Sequence, residues 1–356
     1  MHDFRVMVTG GITGGHILPI IAVAEELQFA AARENINLRL RYLGSYGSYM
    51  QTLEANNIEV KHITPSKLRR YFSLSNFLDV FKLVWSFVQA FWGVYWFMPD
   101  VLFSKGGPGA LPVVVAAWFH RVPVVIHESD SVPGLTNVVS KRFAKAIMLG
   151  FKNANEYFDG RGIYTGNPVR RSVLGKSTRS VEALKTILGF DPQKPLMLVF
   201  GGSQGSTRIN EFILNNLSAI LPITQILHQT GYENYKDVVG QSTFMVSILP
   251  EELQKSYAAV DYLGNNIKDA YHASDVVLSR AGAGSIAEIS AFGKPSILIP
   301  LPESAGDHQR LNANEYAKTG AAIVLIDKND FSVKETIVSG RSSSGSALRH
   351  ENAGTQ

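Results

Sequence analysis

Three stretches of this 356-residue chain place glycines where a phosphate could touch bare backbone. GGITGGHILP runs from Gly10 to Pro19, GGSQGSTRIN from Gly201 to Asn210, and RAGAGSIAE from Arg280 to Glu288. Glycine admits positive φ and brings no side chain, so an anion can reach amide N–H groups. A helix that follows adds its own unpaired donors and the positive end of its dipole. Such turns also arise for packing alone, so each loop by itself is only a candidate. None has the GxxxxGK[ST] spacing of a nucleotide hydrolase. None gives a clean GxGxxG with an acidic residue about 20 positions later, which weakens a dehydrogenase reading.

Two titratable residues sit beside these loops. His16 falls where the first loop becomes a helix, and a helix N-terminus disfavours the imidazolium, leaving a neutral ring able to accept a proton. It is a candidate general base or, equally, a residue that caps or packs beneath the turn. Ser285 and Glu288 have the spacing of a capping box, in which the carboxylate bonds back to the helix start. The functional rival places Glu288 on the hydroxyls of a ribose whose phosphates lie on the adjacent loop.

The elements that must position these residues repeat. FRVMVTGG, an apolar run closed by glycines, precedes the helical pattern ILPIIAVAEELQFAA. PLMLVFGGSQGSTRINEFILNNL repeats the opening, with a strand at 196–200, a loop at 201–205 and a helix from Ile209. VPVVIHE (122–128), DVVLSR (275–280) and PSILIPLP (295–302) read as further buried strands alternating with helices. Two such openings fit poorly in one sheet, and the length and the 45% apolar composition can fill two cores. An α/β fold of two doubly wound parallel-sheet domains is expected, with a junction near TGNPVRR (165–171) and strand ends facing a cleft. The boundaries expected are 1–166 and 167–338, with a polar tail over 339–356 that carries no element pattern and is expected to be disordered.

With 34 basic and 30 acidic side chains the formal charge is +4, too mild and dispersed to argue nucleic acid as a partner. The absence of cysteine excludes disulfides and thiolate metal sites. MHDFRVMVTGG enters a strand pattern without a signal-peptide leader, so a cytoplasmic location is expected.

From Ser75 to Gly93, the small or polar residues Ser75, Asp79, Lys82, Ser86, Gln89 and Gly93 recur at helical spacing. Nearly everything between is large and apolar, including Phe77, Phe81, Trp85, Phe87 and Val88, more than one face of a domain needs to bury. Asp79 and Lys82 shorten the uncharged run for a transmembrane span. The preceding SKLRRYF sets Lys67, Arg69 and Arg70 beside Tyr71 and Phe72, which suits an anionic interface. A membrane-facing patch is the preferred reading, with burial against the domain as its alternative.

Taken together, TGGITGGHILP, SKGGPGALPVVVAAW (104–118), HESDSVPGLTN (127–137), GNPVR (166–170), GGSQGSTRIN and SRAGAGSIAEISAFGKPSILIPLP followed by DHQRLNA (307–313) resemble the MurG family. The resemblance implies a GT-B fold and inverting transfer of N-acetylglucosamine from its UDP donor to undecaprenyl-pyrophosphoryl-N-acetylmuramyl-pentapeptide (lipid I), giving lipid II in peptidoglycan synthesis. It implies an enzyme held peripherally on the cytoplasmic face of the cell membrane, with other cell-wall synthesis proteins as candidate partners.

Carried over by the motifs, Thr13, Gly14, Gly15, His127 and Asn137 fall on acceptor-side positions, with His16 the first candidate base and Glu128 the second. Arg170, Gly202, Ser203, Gln204, Asn210, Leu263, Gly282, Ser285, Glu288 and Gln309 fall on donor-side positions, which favours ribose binding for Glu288. The family's pattern differs at Ile12, where glycine is usual, and at Asp130, where many members carry asparagine. No carboxylate pair suited to a cation beside a diphosphate is evident, so no obligatory metal or other cofactor is expected. The rivals are another glycolipid synthase of the same fold, an epimerase of the same UDP-sugar, and a non-catalytic nucleotide-sugar-binding membrane protein.

Overall fold

The computed structural model describes residues 3–64, 75–175, 177–202, 205–302 and 304–326, with the side chains of 75–80, 265 and 305 outside the description. The basic SKLRRYF segment, Ser203, Gln204, the side chain of Phe77 and the 339–356 tail therefore lie outside the described residues. The chain divides into two compact units between Arg171 and Ser172.

The first unit holds a seven-stranded, all-parallel sheet. Its strands are β1 (Asp3–Thr9), β2 (Asn37–Gly44), β3 (Glu59–His62), β4 (Val101–Ser104), β5 (Val124–Glu128), β6 (Ala146–Leu149) and β7 (Gly162–Tyr164). The spatial order is β3-β2-β1-β4-β5-β6-β7. Alternation sends Val6 and Val8 to one face, against Ile17, Ile20 and Ile21 of the helix Gly14–Glu34. Met7 goes to the other, with Ala90, Val94 and Phe97 of the helix Ser75–Phe97 and Val113 and Val114 of the helix Ala110–Phe119. Both faces are covered, as a parallel sheet requires.

The second unit holds a six-stranded parallel sheet, β8 (Leu196–Phe200), β9 (Gln225–Gln229), β10 (Tyr257–Val260), β11 (Val276–Ser279), β12 (Ser296–Leu298) and β13 (Ala322–Val324). Its order is β10-β9-β8-β11-β12-β13. Met197 and Val199 pack on Ile209, Ile213 and Leu217 of the helix Thr207–Ile220, which begins two residues before the expected Ile209 because Ser206 caps it.

In each sheet the order reverses between two strands that are neighbours in space, β1 and β4 in the first unit and β8 and β11 in the second. Ligands of doubly wound sheets sit beyond the carboxyl ends of the strands at such reversals. The registers match: Thr9 pairs with Ser104, and Phe200 with Ser279. The three candidate glycine loops leave from the ends of β1, β8 and β11, and the glycines of SKGGPG leave from the end of β4.

Candidate active site

At the first reversal the loop after β1 carries Gly10 to Thr13, and the loop after β4 carries Lys105 to Gly109. His16, half-buried, lies between them: Cβ atoms built on Gly11 and Gly107 would stand 2.8 and 2.7 Å from its Nδ1 and Nε2. Gly107 also has φ +87°, a conformation glycine tolerates. Nδ1 of His16 hydrogen-bonds the hydroxyl of Thr13 at 2.9 Å. Thr13 is the N-cap of the helix, and its side chain makes no capping bond. The ring is held neutral, with its pKa pushed down to about 4. Burial is the main cause, and the charge of Lys105 adds to it against the opposing pull of Asp130.

Glu128, at the end of β5, organises the neighbouring loop. Its carboxylate accepts from the amides of Asp130 (3.0 Å) and Gly134 (3.1 Å) and from Nδ2 of Asn137 (2.9 Å). Burial raises its pKa, and Lys105 opposes that rise. Asn137 also donates to the carbonyl of His127 at 3.1 Å, and Gly106 must be glycine because a Cβ would meet the Asn137 Oδ1 at 2.4 Å. Nε2 of His127 faces the carbonyl of Gly166 at 3.1 Å and must donate to it, so its Nδ1 is left as an acceptor. That Nδ1 and the Asn137 Oδ1 are buried without a partner among the described residues. Burial and Lys105 push the His127 pKa down to about 3.

At the second reversal, Arg280 donates to the carbonyls of Gly201 (3.2 Å) and Gly205 (3.1 Å) and so fastens the loop after β8. Gly205 has φ +80° and packs on the carbonyl of Thr230, leaving no space for a side chain. Gln229 ties this loop to the next: its amide donates to the Gly202 carbonyl (3.1 Å) and accepts from the Leu263 amide (3.0 Å). Asn210 is buried, donating to Thr230 O (3.1 Å) and facing Nε2 of His228 (3.0 Å). The helix Ala283–Ala291 starts after Gly282 with no side-chain cap. Ser285 therefore lies inside the first turn, and the capping box allowed by its spacing does not form. Glu288 instead accepts from the hydroxyl of Tyr271 at 3.2 Å. Gln309 is buried, and its Oε1 accepts from the Leu301 amide at 3.1 Å.

Models of the glycosyltransferase family 28 N-terminal and C-terminal domains match residues 6–149 and 196–353. A Clostridium botulinum (strain Hall) protein is 37% identical over 325 residues, covering 90% of this chain and 86% of the relative. It is named UDP-N-acetylglucosamine--N-acetylmuramyl-(pentapeptide) pyrophosphoryl-undecaprenol N-acetylglucosamine transferase. A Bacillus cereus protein of that name, numbered 2, is 37% identical over 339 residues, covering 94% of this chain and 89% of its own. The chain belongs to the MurG family of glycosyltransferases. A crystal structure of Acinetobacter baumannii MurG shares the fold, with a TM-score of 0.70 at 24% identity over 96% of this chain and 92% of that one.

Within this MurG-family chain, Thr13, Gly14, Gly15, His16, His127, Glu128 and Asn137 all belong to the first reversal and the β5 loop beside it. Gly202, Asn210, Leu263, Gly282, Ser285 and Glu288 belong to the β8, β9, β10 and β11 ends of the second unit. Arg170 falls on the first unit's side of the division, and its Nε is buried without a hydrogen-bond partner among the described residues. Lys105, Arg280 and Gln229 were not singled out as site residues. The signal for the first two was available: each directly follows the strand that ends its reversal. Among the described residues, no group of three or more His, Asp or Glu could hold a metal ion.

The Ser75–Phe97 helix turns its small residues inward. Ser86 is buried, Gly93 packs on Leu43, and Gln89 accepts from the Thr64 amide. Outward stand Phe81, Val84, Trp85, Val88, Trp92, Tyr95 and Trp96, joined by Trp118 and Phe119 of the next helix. Phe87 is half-buried, unlike the other described residues of the expected patch. Among the described residues no helix is long and apolar enough to cross a membrane.

Proposed function

We propose that this chain transfers N-acetylglucosamine from UDP-N-acetylglucosamine to the 4-hydroxyl of the muramyl sugar of lipid I, with inversion, releasing UDP and giving lipid II. The observation that carries this reading is 37% identity, over 90% of the chain, to an enzyme named for that transfer. The donor diphosphate is assigned to the loop fastened by Arg280 and to the uncapped helix at Gly282, with Glu288 on the ribose. Amides fixed before the reaction stabilise the charge that develops on the departing UDP. His16, neutral and anchored by Thr13, takes the proton of the attacking hydroxyl. Glu128, whose oxygens are engaged by its own loop, is assigned a positioning role there.

The same reading sets the first unit against the membrane that carries the lipid substrate, with Phe81, Trp85, Trp92 and Trp96 entering the interface. The test is transfer of label from radiolabelled UDP-N-acetylglucosamine to a short-chain lipid I analogue. Tight UDP binding without transfer would make the chain a nucleotide-sugar-binding protein, and transfer to diacylglycerol instead would reassign the acceptor. His16→Ala is expected to slow turnover roughly a hundredfold or more; turnover within a few-fold of wild type removes His16 as the base.

A further inference from the structure

Tyr271 touches both donor-side features of the second unit. It lies on the short helix Ile267–Ala273, between β10 and β11, and is fully buried. Its ring stacks on Phe292 with centroids 4.5 Å apart and 10° between the planes. Phe292 directly follows the helix Ala283–Ala291, which carries Ser285 and Glu288. Phe200, which meets the Tyr271 ring edge-on at 5.9 Å, is the last residue of β8, where the Gly201–Gly205 loop departs.

A phenylalanine at 271 would fill this aromatic niche as well as a tyrosine does. The hydroxyl is what needs a reason, because a buried hydroxyl is unfavourable unless it is hydrogen-bonded. It donates to Oε2 of Glu288 at 3.2 Å. Glu288 is half-buried, and its side chain turns about several bonds. A phenol fixed by its own packing holds that carboxylate in place before any ligand arrives, which spares the cost of ordering it on binding. An ionised carboxylate offers about four lone-pair sites, so a bond to the phenol fixes it without exhausting its capacity to accept from the neighbouring 2′- and 3′-hydroxyls of a ribose.

We propose that Tyr271 is the positioning residue for Glu288, and that the pair gives the site its preference for a ribonucleotide over the 2′-deoxyribonucleotide. This rests on the placement of the ribose on Glu288 in the function proposed above. A nucleotide without the 2′-hydroxyl leaves a desolvated, pre-placed carboxylate short of a donor. A carboxylate free to swing would relieve that loss by turning to water, and the discrimination would fade.

Calorimetry on the full-length chain, with UDP and 2′-deoxy-UDP as the probes, reads the preference directly. Wild type is expected to bind UDP at least roughly tenfold more tightly than 2′-deoxy-UDP, and Tyr271→Phe to bring the two within about threefold, mainly through weaker UDP binding. Equal affinities in wild type overturn the proposal. So does a Tyr271→Phe protein in which both nucleotides weaken alike and their ratio stays as in wild type, the outcome of lost packing alone. Glu288→Ala is expected to remove the preference, and adding Tyr271→Phe to it should change neither affinity further, since the phenol acts through the carboxylate. An additional loss in the double variant also refutes the assignment. Should Tyr271→Phe fail to fold, the wild type still decides by NMR: the Tyr271 hydroxyl proton is expected to shift on saturation with UDP, as Glu288 shares its lone pairs with the ribose, and to move less with 2′-deoxy-UDP. Equal shifts count against it. The two readings fail separately. A preference lost in Glu288→Ala and kept in Tyr271→Phe sinks this inference and spares the ribose assignment. A wild type whose preference depends on both residues but which transfers no sugar defeats the proposed function and leaves this inference standing.

Discussion

Gly107 lies against the imidazole of His16, so that a Cβ on Gly107 would stand 2.7 Å from Nε2 and 3.0 Å from the Cα of Gly11. Its φ of +87° adds roughly 1–2 kcal/mol of strain for any other residue. Gly107→Ala must therefore displace the ring, the loop or both. The expected outcome is a modestly lower melting temperature and at least a tenfold lower kcat, because about an ångström of misplacement of a reacting group can cost a hundredfold. UDP affinity, which the proposed function assigns to the second unit, should stay within about twofold. Calorimetry and steady-state assays on the same preparation check both.

Arg280 closes the loop between Gly201 and Gly205 with two charge-assisted bonds, each typically worth about 1.5–3 kcal/mol. Arg280→Gln removes the charge and the fork geometry. UDP binding, measured by calorimetry, is expected to weaken about tenfold to a hundredfold. The melting transition should shift little, since the loop bonds sit at the rim of a core made by β8 and the helix Thr207–Ile220. Unchanged UDP affinity would mean that the loop holds its shape without Arg280.

The fold was legible where burial forces a pattern. Val6, Met7 and Val8 alternate between two covered faces, and Leu196 to Phe200 form a continuous apolar run, so strand, loop and helix followed from residue type alone. What sequence hides is register and direction. Lys105 reads as a solvated residue before glycines, and its burial exists only because β4 lies between β1 and β5. Ser285 and Glu288 have capping-box spacing, but Gly282 starts the helix earlier and moves Ser285 inside the first turn. The period of the Ser75–Phe97 helix was readable, and its orientation was not. Gly93 and Ser86 face inward because only small side chains let the helix approach Leu43 so closely, which leaves the aromatics outside.

His228 supplies a pH test in the second unit that is independent of catalysis. It is fully buried between Asn210 and the Tyr257 hydroxyl, and burial pushes its pKa down to about 3 from 6.5. A depressed folded pKa means that the unfolded chain binds the proton first. The stabilisation is therefore complete above pH 6.5 and is lost as the pH falls from 6.5 towards 3. In that window His228 is expected to make stability rise with pH by up to about 1.4 kcal/mol per unit. His228→Gln should be less stable at pH 7, and its urea midpoint should depend less on pH between 7 and 5. Parallel pH dependences for the two proteins would show that the ring is not held neutral by burial.

The outward aromatics test the membrane reading without touching the chemistry. Trp92 and Trp96 are 50% and 77% exposed and stack on each other, well removed along the helix from Phe81 near its start. Removing one large apolar side chain from an interface costs about 1.5–3 kcal/mol of burial, or roughly tenfold or more in partitioning. A charge put in its place costs more, because the headgroup boundary does not solvate it as water does. Trp92→Glu with Trp96→Glu is therefore expected to abolish sedimentation with vesicles of mixed neutral and anionic lipid, while UDP affinity and the melting temperature stay near wild type. If the double variant still sediments, the interface is confined to the Phe81 and Trp85 end of the helix. If it unfolds, these side chains are covered by protein and the outward face is not free. Raising the salt separates the two contributions: apolar insertion persists, whereas attraction of basic residues to anionic headgroups fades as the Debye length falls from about 10 Å at 0.1 M to about 3 Å at 1 M.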